Sequence, residues 1–141
     1  MIKRIAIFIA LLLAVVAVIT TFNSGNEDVV LPEEVSVGGA VLNAGSALER
    51  GLYITEPQFI FAVDEDFFYS YDNREPFAGG AVVIEIIDPH AERVIARKER
   101  HDIDPDQSVF ADSAWIDAPG KYLLSVSVDG EVRATRYITV E

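Results

Sequence analysis

Between residues 120 and 140 the chain alternates, turns, and continues as a second extended stretch. Tyr122, Leu124, Val126 and Val128 are interleaved with Lys121, Leu123, Ser125 and Ser127, and that period of two puts one side of a strand in a core. Asp129-Gly130 follows, then Glu131 to Val140, which is a hairpin turn signal between two strands. A face of this kind has to be buried against another layer. The hydrophobic pattern also selects a register. A two-residue loop would set Val126 opposite Arg133 and Leu124 opposite Thr135, whereas a three-residue loop sets Val126 opposite Val132 and Leu124 opposite Ala134. Because a one-residue slip exchanges the faces, the expectation is a three-residue loop with Gly130 left-handed as a bulge. Arg136 then falls on the inner face, which calls for a second bulge or the sandwich rim at that point.

Upstream of the hairpin the same signals recur. Phe59–Val63, Phe67–Asp72, Ala81–Ile87, Arg93–Arg100 and Val109–Ile116 read as strands, separated by turn residues such as Asp64-Glu65-Asp66 and Asp88-Pro89-His90. The stretch Val82-Val83-Ile84-Glu85-Ile86-Ile87 is apolar on nearly both faces, as a central strand should be. With the hairpin this makes seven strands and no long amphipathic helix, so the expected fold is an all-β antiparallel sandwich over residues 51–141. Residues 23–50 read as a polar linker, with Val35-Ser36-Val37 and Ala40-Val41-Leu42 as short strands or an edge ribbon.

The entry to the hairpin carries a family resemblance. Asp117-x-x-Gly120-x-Tyr122 resembles the D-x-G-x-Y signature before strand F of immunoglobulin-like domains, with one more residue between Asp and Gly. The resemblance spans about the last 80 residues, is also similar to fibronectin III-like bacterial and archaeal sandwiches, and implies an immunoglobulin-like fold. It further implies that the Tyr122 hydroxyl bonds back to nearby backbone as a tyrosine corner. Leu124 stands where the family's second cysteine would be.

The N-terminus is of a different character. After Lys3 and Arg4, Ile5 to Phe22 runs for 18 residues without a charge. As a helix it would be about 27 Å long, enough to cross a bilayer core. A cleaved signal peptide is the rival, but the best cleavage site, Val15-Val16-Ala17, lies inside the apolar run. The expectation is an uncleaved signal anchor over residues 1–22. Lys3 and Arg4 would keep the N-terminus cytoplasmic and the C-terminal domain outside. The formal charge is −12, and all 23 acidic residues lie from Glu27 onward, so the chain after the run carries about −14. That argues against a general nucleic-acid binder, which needs a basic footprint. There are no cysteines, which excludes disulfides, thiolate metal sites and a cysteine nucleophile.

Few residues point to chemistry. Asp102-x-Asp104-x-Asp106 has the opening spacing of a calcium loop, but Gln107 and Ser113 occupy the positions where an EF-hand needs Gly and Glu. An irregular calcium site is left as the candidate, beside the plain reading of a solvated loop. His90 and His101 lack ligand-spaced partners for zinc, and no serine sits in a nucleophile elbow. The chain therefore reads as non-catalytic, with no cofactor and no evident small-molecule substrate. Two partner surfaces suggest themselves. Arg93, Arg97, Lys98 and Arg100 form a basic stripe, either edge-strand protection or a docking surface for an acidic partner or a lipid headgroup. Tyr69 and Tyr71 belong to an aromatic concentration that is either core or an exposed surface for a peptide or glycan. The expected function is a membrane-tethered extracytoplasmic binding or assembly module of a prokaryotic envelope, with a protein partner there. Two alternatives stand beside it: a structural subunit of a pilus- or archaellum-like assembly, and a secreted inhibitor or adhesin. The Gly-then-Glu processing pattern of type IV pilins is missing from residues 1 to 10.

Overall fold

The computed structural model describes residues 30–141. The Ile5–Phe22 run, and with it the expected anchor, lies outside the described residues. Among those residues no helix is long and apolar enough to cross a membrane. Eight strands follow in order: β1 (Val41–Gly45), β2 (Ile60–Phe61), β3 (Phe67–Asp72), β4 (Val82–Asp88), β5 (Arg93–Arg100), β6 (Val109–Ala114), β7 (Gly120–Val128) and β8 (Glu131–Val140). They form a three-stranded sheet, β1-β3-β6, and a five-stranded sheet, β2-β8-β7-β4-β5. That order is the immunoglobulin-like one. β1, β3 and β6 stand as strands A, B and E, and β4, β7 and β8 as C, F and G. β5 adds a C′ strand, and β2 runs parallel to β8. The fold is an all-β immunoglobulin-like sandwich.

The core lies between the sheets. β3 buries Phe67, Tyr69 and Tyr71, β7 buries Tyr122, Leu124 and Val126, and β8 buries Ala134, Ile138 and Val140. Aromatic rings fill the middle: Phe61 stacks on Phe67 with centroids 4.6 Å apart, and Tyr69 meets Phe110 edge-on at 6.4 Å. These are the offset and edge arrangements that the ring quadrupole favours.

The central hairpin corrects the expected register. Val128 pairs with Glu131, so the loop has two residues. Asp129 and Gly130 have φ of 53° and 80°, the paired positive values of a type I′ turn, whose twist matches that of the flanking strands. The extra residue sits within the strand instead. Ser127 pairs with Val132 but Val126 with Ala134, which leaves Arg133 as a bulge. A bulge there does what a longer turn would have done, bringing Ala134 and Ile138 onto the core side. Arg136 does fall opposite Leu124, on the core side of the sheet at its edge. The tyrosine corner is present: the Tyr122 hydroxyl donates to the Ala118 carbonyl at 2.9 Å.

The stretch read as a linker or edge ribbon contributes to the sandwich. β1 pairs antiparallel with β3 along its full length, and Ala40, Leu42 and Ala44 are buried in the core. Before it, a short strap lies along β8. The Val37 N–H donates to the Arg133 carbonyl at 2.8 Å, and the Thr135 N–H donates to the Val35 carbonyl at 2.9 Å. The sandwich thus has a base, where β1, β4, β6 and β8 end, and an opposite tip holding the 129–130 turn and the 73–81 and 101–108 loops.

Candidate functional site

β8 would be an exposed edge, with a row of unpaired backbone groups. Two separate segments cover it. The strap takes its upper part, and further down Thr139 N–H and Glu141 N–H donate to the carbonyls of Phe59 and Phe61 at 2.8 and 3.0 Å. Glu34 fills the gap between them: Oε1 accepts the Tyr137 N–H and Oε2 accepts Arg136 Nη1, each at 3.1 Å. Arg136 also lies over the Phe59 ring at 4.6 Å, a cation–π contact. Tyr137 turns its hydroxyl to the Pro32 carbonyl, and burial pushes that phenol up to about 12.

Beside this node the strap and β1 enclose a cavity of about 320 Å³ lined by residues that include Val35, Val41, Leu42, Ala134 and Arg136. Its polar side chains are mostly engaged: Thr135 Oγ1 accepts the Val35 N–H at 2.7 Å, and Ser36 Oγ donates to the Ala40 carbonyl at 2.6 Å. Arg136 Nε is buried without a partner.

A second polar group sits at the centre of the five-stranded sheet. Glu85 lies on the face away from the core, opposite Arg97 on β5 and Ser125 on β7. It is 2% exposed, and its Oε1 has no hydrogen-bond partner. Burial pushes its carboxyl up to about 7, against the pull of Arg97. Leaving the charged form unpaired there is costly, so the neutral acid is favoured. The signal was visible in the sequence, as one carboxylate inside a strand apolar on both faces.

The structure disperses the expected site residues. Tyr69 and Tyr71 are not an exposed surface: at 2% and 0% exposure they are core, because β3 is the middle strand of its sheet and alternation turns 67, 69 and 71 inward. The basic stripe is divided in the same way. Arg97 shares the outer face with Glu85 and pairs with Glu99 at 2.8 Å, whereas Lys98 and Arg100 turn toward the other sheet and both reach Asp112 of β6. Arg100 also binds Asp102 at 2.8 Å, which holds the Asp102 carboxyl below its ordinary value. Arg93 lies exposed at the start of β5. The calcium candidates do not converge either. Asp102 faces Arg100, and Asp104 accepts the Asp106 N–H at 2.9 Å as a turn cap. Among the described residues, no three acidic or histidine side chains are grouped so as to hold a metal ion.

With this geometry in view, comparison with known proteins adds little. No family model matches the chain, and no curated protein does. Solved structures resemble it at low identity. An immunoglobulin-like protein from Pseudomonas aeruginosa is 10% identical, covering 78% of this chain and 98% of its own, with a TM-score of 0.49. The PmoD soluble domain from Methylocystis is 13% identical, covering 72% and 90%, with a TM-score of 0.48. The CARDB domain of a Pyrococcus furiosus protein, solved with di-metal ions, is 11% identical, covering 72% and 91%, at 0.41. The strand order, and not these likenesses, carries the fold assignment.

Proposed function

We propose that this chain is a non-catalytic, membrane-tethered module of a prokaryotic envelope, holding its sandwich outside the cytoplasmic membrane for binding or assembly with a protein partner. The observation that carries the reading is the uncharged Ile5–Phe22 run behind Lys3 and Arg4, a length and flank that suit an anchor with the C-terminal part outside. What supports a binding role over catalysis is where the charges go. Arg97, Lys98 and Arg100 of β5 are engaged with neighbouring carboxylates, and the loops cap themselves, as Asp88 does by accepting the His90 and Ala91 N–H groups. The sandwich therefore offers edges and loops for contact, and the identity of the partner is set by those surfaces and not by the fold.

The test uses the chain's lack of cysteine. Ser108→Cys, at the tip, is labelled in intact cells with a membrane-impermeant maleimide, and Ile2→Cys serves as the cytoplasmic control. The reading expects labelling of the first and protection of the second until lysis. Protection of both before lysis would overturn it.

A further inference from the structure

The large hydrophobic side chains that the fold leaves exposed are unevenly placed. Trp115 is 57% exposed, Ile60 54% and Tyr53 48%. Trp115 follows the last residue of β6, Ile60 pairs beside Thr139 near the end of β8, and Tyr53 lies in the loop after β1. All three are at the base, whereas Val35, less exposed at 39%, lies in the strap beside Thr135. Among the described residues, no large hydrophobic side chain of the tip loops is exposed to this degree.

The chain enters the sandwich from that same end. The bridge between Ser36 and Ala134 is antiparallel, so the strap travels from base toward tip. Before it, Glu34 and Pro32 are fastened to Arg136 and Tyr137 in the lower half of β8, and Val30 is 55% exposed. Only residues 23–29 separate Val30 from the apolar run, and seven residues span at most roughly 25 Å even when fully extended. A tether of that reach, joined at the base, keeps the base and not the tip near the bilayer.

We infer that the base of the sandwich rests on the lipid surface, with Trp115 placed at headgroup level and Ile60 and Tyr53 beside it. This rests on the tethered reading proposed above. Tryptophan and tyrosine suit that position because their rings are amphipathic. The contact is apolar and not electrostatic: Asp64, Glu65, Asp66 and Asp117 lie in the same base loops, and these carboxylates oppose an anionic surface. Anionic lipid should therefore weaken the contact, and salt should restore it.

Trp115 is the sole tryptophan of the chain, so its fluorescence reports this site alone. The full chain is reconstituted into phosphatidylcholine vesicles, with and without acyl-brominated lipid, and floated on a density gradient. The expected result is flotation with the vesicles, blue-shifted emission and at least about twofold quenching by brominated lipid. Ile60→Asp should still float but lose most of the quenching. Phosphatidylglycerol should reduce quenching, and added salt should recover it. Flotation with solvent-like, unquenched Trp115 would overturn the docking and leave the tether standing. Failure to float would overturn both. A blue shift that grows with protein concentration yet ignores brominated lipid would mean that a second copy covers Trp115, which also overturns the proposal. So would quenching that increases with anionic lipid.

Discussion

The two edges of the five-stranded sheet solve the same problem in opposite ways. At the β8 edge the backbone is covered by residues 35–37 and 59–61, with the Glu34 carboxylate closing the gap. At the β5 edge nothing in the described chain pairs with the outer backbone, and the strand carries Arg93, Arg97, Lys98, Glu99 and Arg100 instead. Covering ties distant parts of the chain together and should contribute to stability. Charge protects against unwanted strand pairing and should contribute little, because exposed ion pairs are worth about 0–1 kcal/mol. The covered edge is thus expected to be structural and the charged edge tolerant of change.

The largest effect should come from removing the cover. The strand pattern in the sequence places the start of the domain at Gly51, and a chain beginning there lacks the strap, Glu34 and β1. It loses Leu42 and Ala44 from the core and bares the β8 edge. Such a chain should be unfolded or aggregated, whereas one beginning at Val30 should melt cooperatively; circular dichroism of the two decides it. Equal melting of both would dissolve the contrast between the edges.

Midway between the edges, Glu85 should make stability depend on pH. Its folded pKa, about 7, lies above the ordinary 4.5, so the folded state holds the proton more tightly. The stability this provides is complete below about pH 4.5 and is lost as pH rises through 7. At pH 8 the loss is on the order of 3 kcal/mol. Glu85→Gln should therefore gain on the native chain between pH 5 and about 7 and level off by pH 8 in denaturant melts. A constant difference across that range would remove the buried acid from the account.

Smaller effects belong to the hairpin and to the edges themselves. Tyr122→Phe should lose about 1–2 kcal/mol, since the Ala118 carbonyl is left without its donor. Glu34→Ala should lose about 1 kcal/mol by opening the β8 ladder, and Lys98→Ala less than about 0.5 kcal/mol, although both residues form ion pairs. Similar losses at Glu34 and Lys98 would mean that covering and charge are equivalent protections here.

Much of this was legible in the sequence because it is local. β3 and β5 run over the expected residues, and Tyr122 with Ala118 needs only a four-residue reach. β1 was not legible as core, since Val-Leu-Asn-Ala-Gly is short and fills its space with small residues, and alternation is hard to detect in alanine and glycine. The Arg133 bulge was hidden because a longer turn and an in-strand bulge satisfy nearly the same pattern. Tyr69 and Tyr71 were ambiguous until β3 was known to be a middle strand. Asp112 holds Lys98 and Arg100 from the other sheet, and no periodicity announces a pair made across the sandwich. Glu34 was missed for the same reason, its partners lying about a hundred residues away.

The proposed tether bears on these observations, since only residues 23–29 lie between the apolar run and the described chain that covers β8. Its most direct test is the intact mass of the native protein recovered from membranes after alkaline extraction. The account predicts that the chain retained in the membrane pellet still carries the Ile5–Phe22 run behind Lys3 and Arg4. A released chain beginning near residue 18 or 24 would contradict it.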